Sequence, residues 1–318
     1  MKKTISLMLT LLVVFSLTAC VAPLTSTDSD TLTRAQENEG DEQVYETEDE
    51  QESEEDFISV AVETTEYTTE EITIIDDENC KMIINGFDPE GYWGFEVSTF
   101  LENKTDKTLM FSLEDVSVNG YMIDPYWACE LSAGKTENAT IDFSPEGFEQ
   151  CNITTADEIC FTLRVFDSND WTADNIVEET YTIYTTGLDA DSIVVPERTI
   201  VDGEQVVVDN DSFSFIIQSV EVDDFWGYTL NCFIENKTDM TLMLAWDDVA
   251  VNRHKINPFW AAEVAPGKMK YTQISFSLEE LAKNGIIKVK EIEYLLYVFD
   301  TTIWTEGYIY DEVLTYQP

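Results

Sequence analysis

The chain has 318 residues, of which 64 are acidic and 17 basic, for a net charge of −47. Such a field repels DNA, RNA and anionic lipid headgroups, so nucleic acid is excluded as a partner. Apolar residues still make up 44 % of the chain, enough for cores of ordinary size.

Residues 1–19 read as a secretion signal. Lys2 and Lys3 precede an apolar run from Ile5 to Leu17, and Leu17-Thr18-Ala19-Cys20 closes it with small residues before a cysteine. The run is short of the ~20 apolar residues that a membrane span needs. Leu-Thr-Ala-Cys resembles the bacterial lipobox, which implies cleavage before Cys20 and lipidation of its sulfur. The expectation is a cell-membrane lipoprotein, lipid-anchored and facing the extracellular or envelope side.

Residues 20–70 predict a disordered acidic linker. Between Thr25 and Glu55 polar and acidic residues dominate, and Arg34 is the only basic one. Such a stretch cannot bury enough apolar surface to offset its ordering entropy, and like charges keep it extended. Phe57 to Val62 interrupts it, as a strand or a contact segment.

From residue 72 the chain repeats itself: residues 72–182 fall on 205–315 without a gap. Glu102-Asn103-Lys104-Thr105-Asp106 returns as Glu235-Asn236-Lys237-Thr238-Asp239. Val165-Phe166-Asp167 and Trp171 return as Val298-Phe299-Asp300 and Trp304. A register held that long predicts two copies of one folded unit, 71–185 and 200–318, joined by a linker at 186–199.

Within each copy apolar and polar residues alternate with the period of strands. Strands are predicted around Asn79–Ile84, Phe95–Leu101, Thr108–Leu113, Val116–Asn119, Thr140–Phe143, Ile159–Val165 and Val177–Ile183, and again in the second copy. Seven or eight strands at this spacing suit a sandwich. Ser277-Leu278-Glu279-Glu280 fits a capping box for one short helix ended by Gly285. In the first copy Ser144-Pro145 starts its counterpart, which Gly147 weakens.

A strand ending in Asn, a polar turn, a strand with Leu, a Gly-Lys turn and an alternating Ile-x-Phe strand recur in both copies. They are Glu235-Asn236, Leu242, Pro266-Gly267-Lys268 and Ile274-Ser275-Phe276, with Glu102-Asn103, Leu109, Ala133-Gly134-Lys135 and Ile141-Asp142-Phe143. This pattern resembles the immunoglobulin-like domains of unknown function in Gram-positive surface lipoproteins. The resemblance implies an all-β fold of two tandem immunoglobulin-like β-sandwich domains, and carries no catalytic residues.

Several residues are candidates for function. Tyr92-Trp93-Gly94 matches Phe225-Trp226-Gly227, and Pro125-Tyr126-Trp127 matches Pro258-Phe259-Trp260. Exposed, Trp93, Tyr126, Trp127, Trp226, Phe259 and Trp260 can stack on sugars or grip a partner; buried, they plug the ends of the sandwiches, which is the favoured reading. The Asn-Lys-Thr-Asp segments read as hairpin turns. Asp76-Asp77-Glu78, Asp167-Ser168-Asn169-Asp170, Asp209-Asn210-Asp211 and Asp223-Asp224 offer oxygens to calcium, without EF-hand spacing. Cys151–Cys160 is the expected local disulfide, and Cys129 and Cys232 read as small buried hydrophobes. No nucleophile elbow, zinc motif or phosphate loop occurs, so no catalytic residue, metal or cofactor is expected. The function expected is a non-enzymatic binding or accessory lipoprotein, held at the membrane by its N-terminal lipid and directed at a protein or cell-wall polymer. The alternatives are an envelope hydrolase using acidic residues and a calcium-responsive adhesion module.

Overall fold

A computed structural model describes residues 66–170, 172–303 and 307–318. The signal sequence, Cys20, most of the acidic linker, Trp171 and Trp304 lie outside the described residues.

The first copy comprises β1 (Ile72–Asp76), β2 (Cys80–Gly91), β3 (Gly94–Asn103), β4 (Leu109–Val118), β5 (Tyr121–Met122), β6 (Ala128–Leu131), β7 (Thr136–Phe143), α1 (Pro145–Gln150), β8 (Glu158–Asp167) and β9 (Val177–Tyr184). The second comprises β10 (Gln205–Asp209), β11 (Phe213–Asp223), β12 (Gly227–Asn236), β13 (Leu242–Val251), β14 (His254–Lys255), β15 (Ala261–Val264), β16 (Met269–Phe276), α2 (Leu278–Lys283), β17 (Ile292–Asp300) and β18 (Tyr310–Tyr316). The described residues are all-β apart from these short helices, and most boundaries recur at the displacement of the sequence repeat.

In each copy two sheets enclose a core. Strands β1-β2-β3-β7 form one sheet, and β4 pairs with β8, which pairs with β9, in the other. In the second copy β10-β11-β12-β16 faces β14-β13-β17-β18. The chain crosses between sheets after β3 and returns at β7, a Greek-key path. Alternation decides which side chains face inward: Phe95, Val97 and Leu101 on β3 are buried, as are Ile159, Phe161, Leu163 and Val165 on β8.

Two expected strands, Thr108–Leu113 and Val116–Asn119, are one strand. β4 runs through both, with its register to β8 shifting between Glu114 and Ser117. Asp115 sits in that bulge at φ 52, and Asp248 repeats it at φ 47. A bulge interrupts alternation and so reads as a turn in the sequence. The Asn-Lys-Thr-Asp segments are not hairpin turns, because β3 and β4 belong to different sheets; they are corners where the chain changes sheet. The buried Asn236 side chain donates to the carbonyls of Met240, Val264 and Ala265 at 2.7–3.0 Å. Its oxygen accepts from the Thr238 backbone and hydroxyl at 2.9 and 2.7 Å. Asn103 does the same with Lys107, Leu131 and Thr105.

Both helices form. Ser277 and Ser144 accept from the backbone N–H three residues on, and Pro145 at the first turn offsets the cost of Gly147.

The copies pack against each other. The Met269 N–H donates to the Gly120 carbonyl at 3.0 Å, and Met269 pairs with Tyr121 in parallel register. Tyr121 and Tyr271 stack at 6.0 Å, 4° from parallel, and the Tyr121 hydroxyl donates to the Pro196 carbonyl at 2.8 Å. Ile216 and Phe233, on the outer face of the second copy's sheet, are buried here, whereas their first-copy counterparts Ile83 and Phe100 are half-buried.

Candidate functional site

The duplicated aromatics divide into two groups. Trp260 is buried: its indole stacks at 5.8 Å on Phe215 and its N–H donates to the Thr272 hydroxyl at 3.1 Å. Trp127 is half-buried against the first core. Trp260 is buried as the plug reading expects, and Trp127 is partly covered. That reading fails for the others: Tyr92 is 86 % exposed, Trp93 66 %, Phe225 83 %, Trp226 62 %, and Tyr126 and Phe259 91 % each.

The reason lies in the local backbone. Tyr92-Trp93 and Phe225-Trp226 occupy the tips of the β2–β3 and β11–β12 hairpins, beyond the last core layer. Asp223 Oδ1 accepts from the N–H groups of Phe225 and Trp226 at 2.7 and 2.6 Å, fixing that tip. In the first copy Glu96 accepts from the Trp93 N–H at 3.5 Å. The following glycines are structural: a Cβ on Gly94 would lie 2.2 Å from the Phe143 carbonyl oxygen, and one on Gly227 2.3 Å from that of Phe276. Each tip presents two rings edge to face, with centroids 4.7 Å apart at 89° and 88°.

Tyr126 and Phe259 are stranger. Both adopt left-handed backbone, φ 50 and 51, where a bulky residue is an outlier. Asp124 and Asn257 accept from their N–H groups at 2.7 and 2.8 Å and hold the turn. Neither ring stacks on another among the described residues. Glycine or asparagine fits this conformation better, and the described residues leave each ring 91 % exposed, so the described fold gives no reason for an aromatic in either copy.

The acidic runs are engaged within the fold. Asp76 pairs with Lys104 and Lys81, and Asp209 with Lys237 at 2.6 Å. These lysines hold both carboxyls below the usual carboxylate range. Asp77 and Asn210 accept from the N–H groups of their own turns, and Asp167 pairs with Lys107 at 3.1 Å. Among the described residues no three metal-ligating groups converge.

The expected Cys151–Cys160 bridge does not form. Both are free thiols: Cys151 points into the first core, and Cys160 lies on the opposite face of β8 from the core residues Ile159 and Phe161. Burial pushes the Cys151 thiol up to about 12. Cys232 is buried as expected, while Cys129 is half-buried.

One acidic cleft was not foreseen, because its walls come from both copies. Glu114, Asp115 and Asp124 meet Glu263 and Lys270 around a cleft of about 300 Å³. Lys270 donates to the Glu263 carbonyl oxygen at 3.1 Å. Desolvation raises the carboxyls of Asp115 and Glu263 and lowers the Lys270 ammonium.

No protein-family model matches the sequence, and no curated protein does. A solved structure, the CsuC–CsuE chaperone–tip adhesion subunit pre-assembly complex of the archaic chaperone-usher Csu pili of Acinetobacter baumannii, aligns over 69 % of this chain and 90 % of its own. Identity is 12 % and the TM-score 0.21, so no residue role or partner carries over.

Proposed function

We propose that the protein is a lipid-anchored, non-enzymatic binding lipoprotein of a bacterial cell envelope, built as two tandem immunoglobulin-like sandwiches on an acidic tether. Anchoring rests on the lipobox-like Leu17-Thr18-Ala19-Cys20. The immunoglobulin-like reading is supported by strand order: β2-β3-β7 beside β4-β8-β9 follows the A-B-E and C-F-G arrangement of those domains. Recognition rests on one observation. The same exposed rings recur in both copies, at Tyr92-Trp93 and Phe225-Trp226 and at Tyr126 and Phe259, where packing does not require them. Exposed aromatics placed twice on one body give a weak contact a second chance to hold. The partner is a protein or an envelope polymer. Capture from intact-cell surfaces by the full chain tests this, against a variant with Trp93, Tyr126, Trp226 and Phe259 changed to Ser. Loss of capture supports the reading; equal capture removes it.

The hydrolase reading has one observation on its side, the two raised carboxyls of Asp115 and Glu263 in a shared cleft. It ranks second because burial is the main cause of both shifts, and the Lys270 ammonium lines the same cleft. Retention of any envelope-degrading activity in Asp115→Asn/Glu263→Gln would remove it.

A further inference from the structure

The chemistry of the hairpin tips narrows the partner, given that they are recognition sites as proposed above. Each tip is a corner of two perpendicular rings. The edge of one ring rests on the other, and the ring faces outside that contact stay open to solvent, where a π face can receive an organic cation. Acidic residues flank both tips in sequence, Asp88, Glu90 and Glu96 at the first and Glu221, Asp223 and Asp224 at the second, and the carboxylates of Glu96 and Asp223 accept from the tips' own N–H groups. No lysine or arginine occurs between Gly86 and Val97 or between Ser219 and Leu230. The cation–π pairs among the described residues lie elsewhere, Arg164 on Phe166 and Arg198 on Phe233, so no cation of the protein itself sits on a tip ring there. An anionic polymer is repelled from such a corner, and a neutral sugar gains nothing from the carboxylates' charge.

We infer that the two hairpin tips bind the ammonium side chains of a lysine-rich polypeptide segment, one cation in each aromatic corner with its charge balanced by the neighbouring carboxylates. The duplicated corners favour a partner that offers basic residues at more than one place, and the charge of the whole chain draws it in.

The test uses the full chain and a synthetic lysine-rich peptide, read by tryptophan fluorescence and calorimetry. It includes the same peptide with every lysine acetylated, a neutral oligosaccharide, and a Tyr92→Ser/Trp93→Ser/Phe225→Ser/Trp226→Ser variant whose melting curve is measured alongside. Binding of the lysine peptide is expected to weaken at least ~10-fold on acetylation and by a similar factor in the variant, the scale of a few exposed cation–π contacts. Three outcomes overturn the inference: no binding of the lysine peptide, equal binding by the variant, or equal binding of the acetylated peptide. Tip-dependent binding of the neutral oligosaccharide would also overturn it while leaving the binding-lipoprotein reading intact. Only equal capture in the intact-cell experiment would remove that reading itself.

Discussion

Tyr126 and Phe259 supply a sharp test of whether the exposed rings serve the fold. Both sit at φ 50–51 with side chains 91 % exposed. Left-handed backbone costs an ordinary L-residue about 1–2 kcal/mol, and asparagine tolerates it better. The ring buries almost nothing, so its removal loses almost no hydrophobic energy. The hydrogen bonds that hold the turn come from the backbone N–H and survive substitution. Tyr126→Asn and Phe259→Asn should therefore each stabilise the protein by about 0.5–1 kcal/mol. Sites in different copies without shared partners add, so the double variant should gain about 1–2 kcal/mol. For a body of this size that raises Tm by a few degrees, roughly 2–4 °C per kcal/mol. Urea and thermal melts measure it. A loss of more than about 0.5 kcal/mol from either change would show that the ring supports the fold and would refute the reasoning.

Other perturbations separate fold from recognition. Asn236→Ala removes a buried donor shared by three carbonyls and the acceptor of two donors, and should cost about 2–3 kcal/mol in a urea melt, with Asn103→Ala close behind. Trp260→Ala should cost about 3–5 kcal/mol, whereas Trp226→Ala, a change in the same kind of residue at an exposed tip, should stay within about 0.5 kcal/mol. Asp115 holds its proton more tightly in the folded state than in the unfolded one. Its contribution to stability is thus present at low pH and is lost as pH rises through the raised folded value. Asp115→Asn should accordingly raise Tm at neutral pH, with the gain disappearing below the ordinary carboxylate range; a gain independent of pH would contradict that assignment.

Much of the fold was legible because duplication shows which positions the sandwich needs. Phe95, Val97 and Leu101 alternate, and Tyr228, Leu230, Cys232 and Ile234 repeat the pattern in the second copy. The helix starts were equally plain, since a serine cap acts within a few residues. What alternation conceals is anything set by a distant contact. The β4 bulge reads as a turn because Asp115 breaks the period. Ile216, Phe233 and Tyr271 gave no hint of the contact between copies, in which Tyr121 stacks on Tyr271 from far along the chain. The cleft of Asp115, Glu263 and Lys270 was hidden for the same reason.

The proposed recognition site was half legible. Recurrence in both copies singled out the aromatic segments but could not say which rings face water. Trp127 and Trp260 lie one residue beyond Tyr126 and Phe259, and the left-handed turn sends neighbours opposite ways, one inward and one outward. No local pattern announces that turn, because asparagine or glycine is its usual mark and aromatics stand there instead. The cysteine pairing failed because proximity in sequence does not reveal that Cys160 faces away from the core that Cys151 enters.

The claim that both copies carry recognition surfaces in their exposed rings meets its most direct test in capture from intact-cell surfaces. The full chain is compared with the variant lacking Trp93, Tyr126, Trp226 and Phe259, both shown to melt alike. The account expects the native chain to retain a surface component that the variant loses. Undiminished retention by the variant would contradict it.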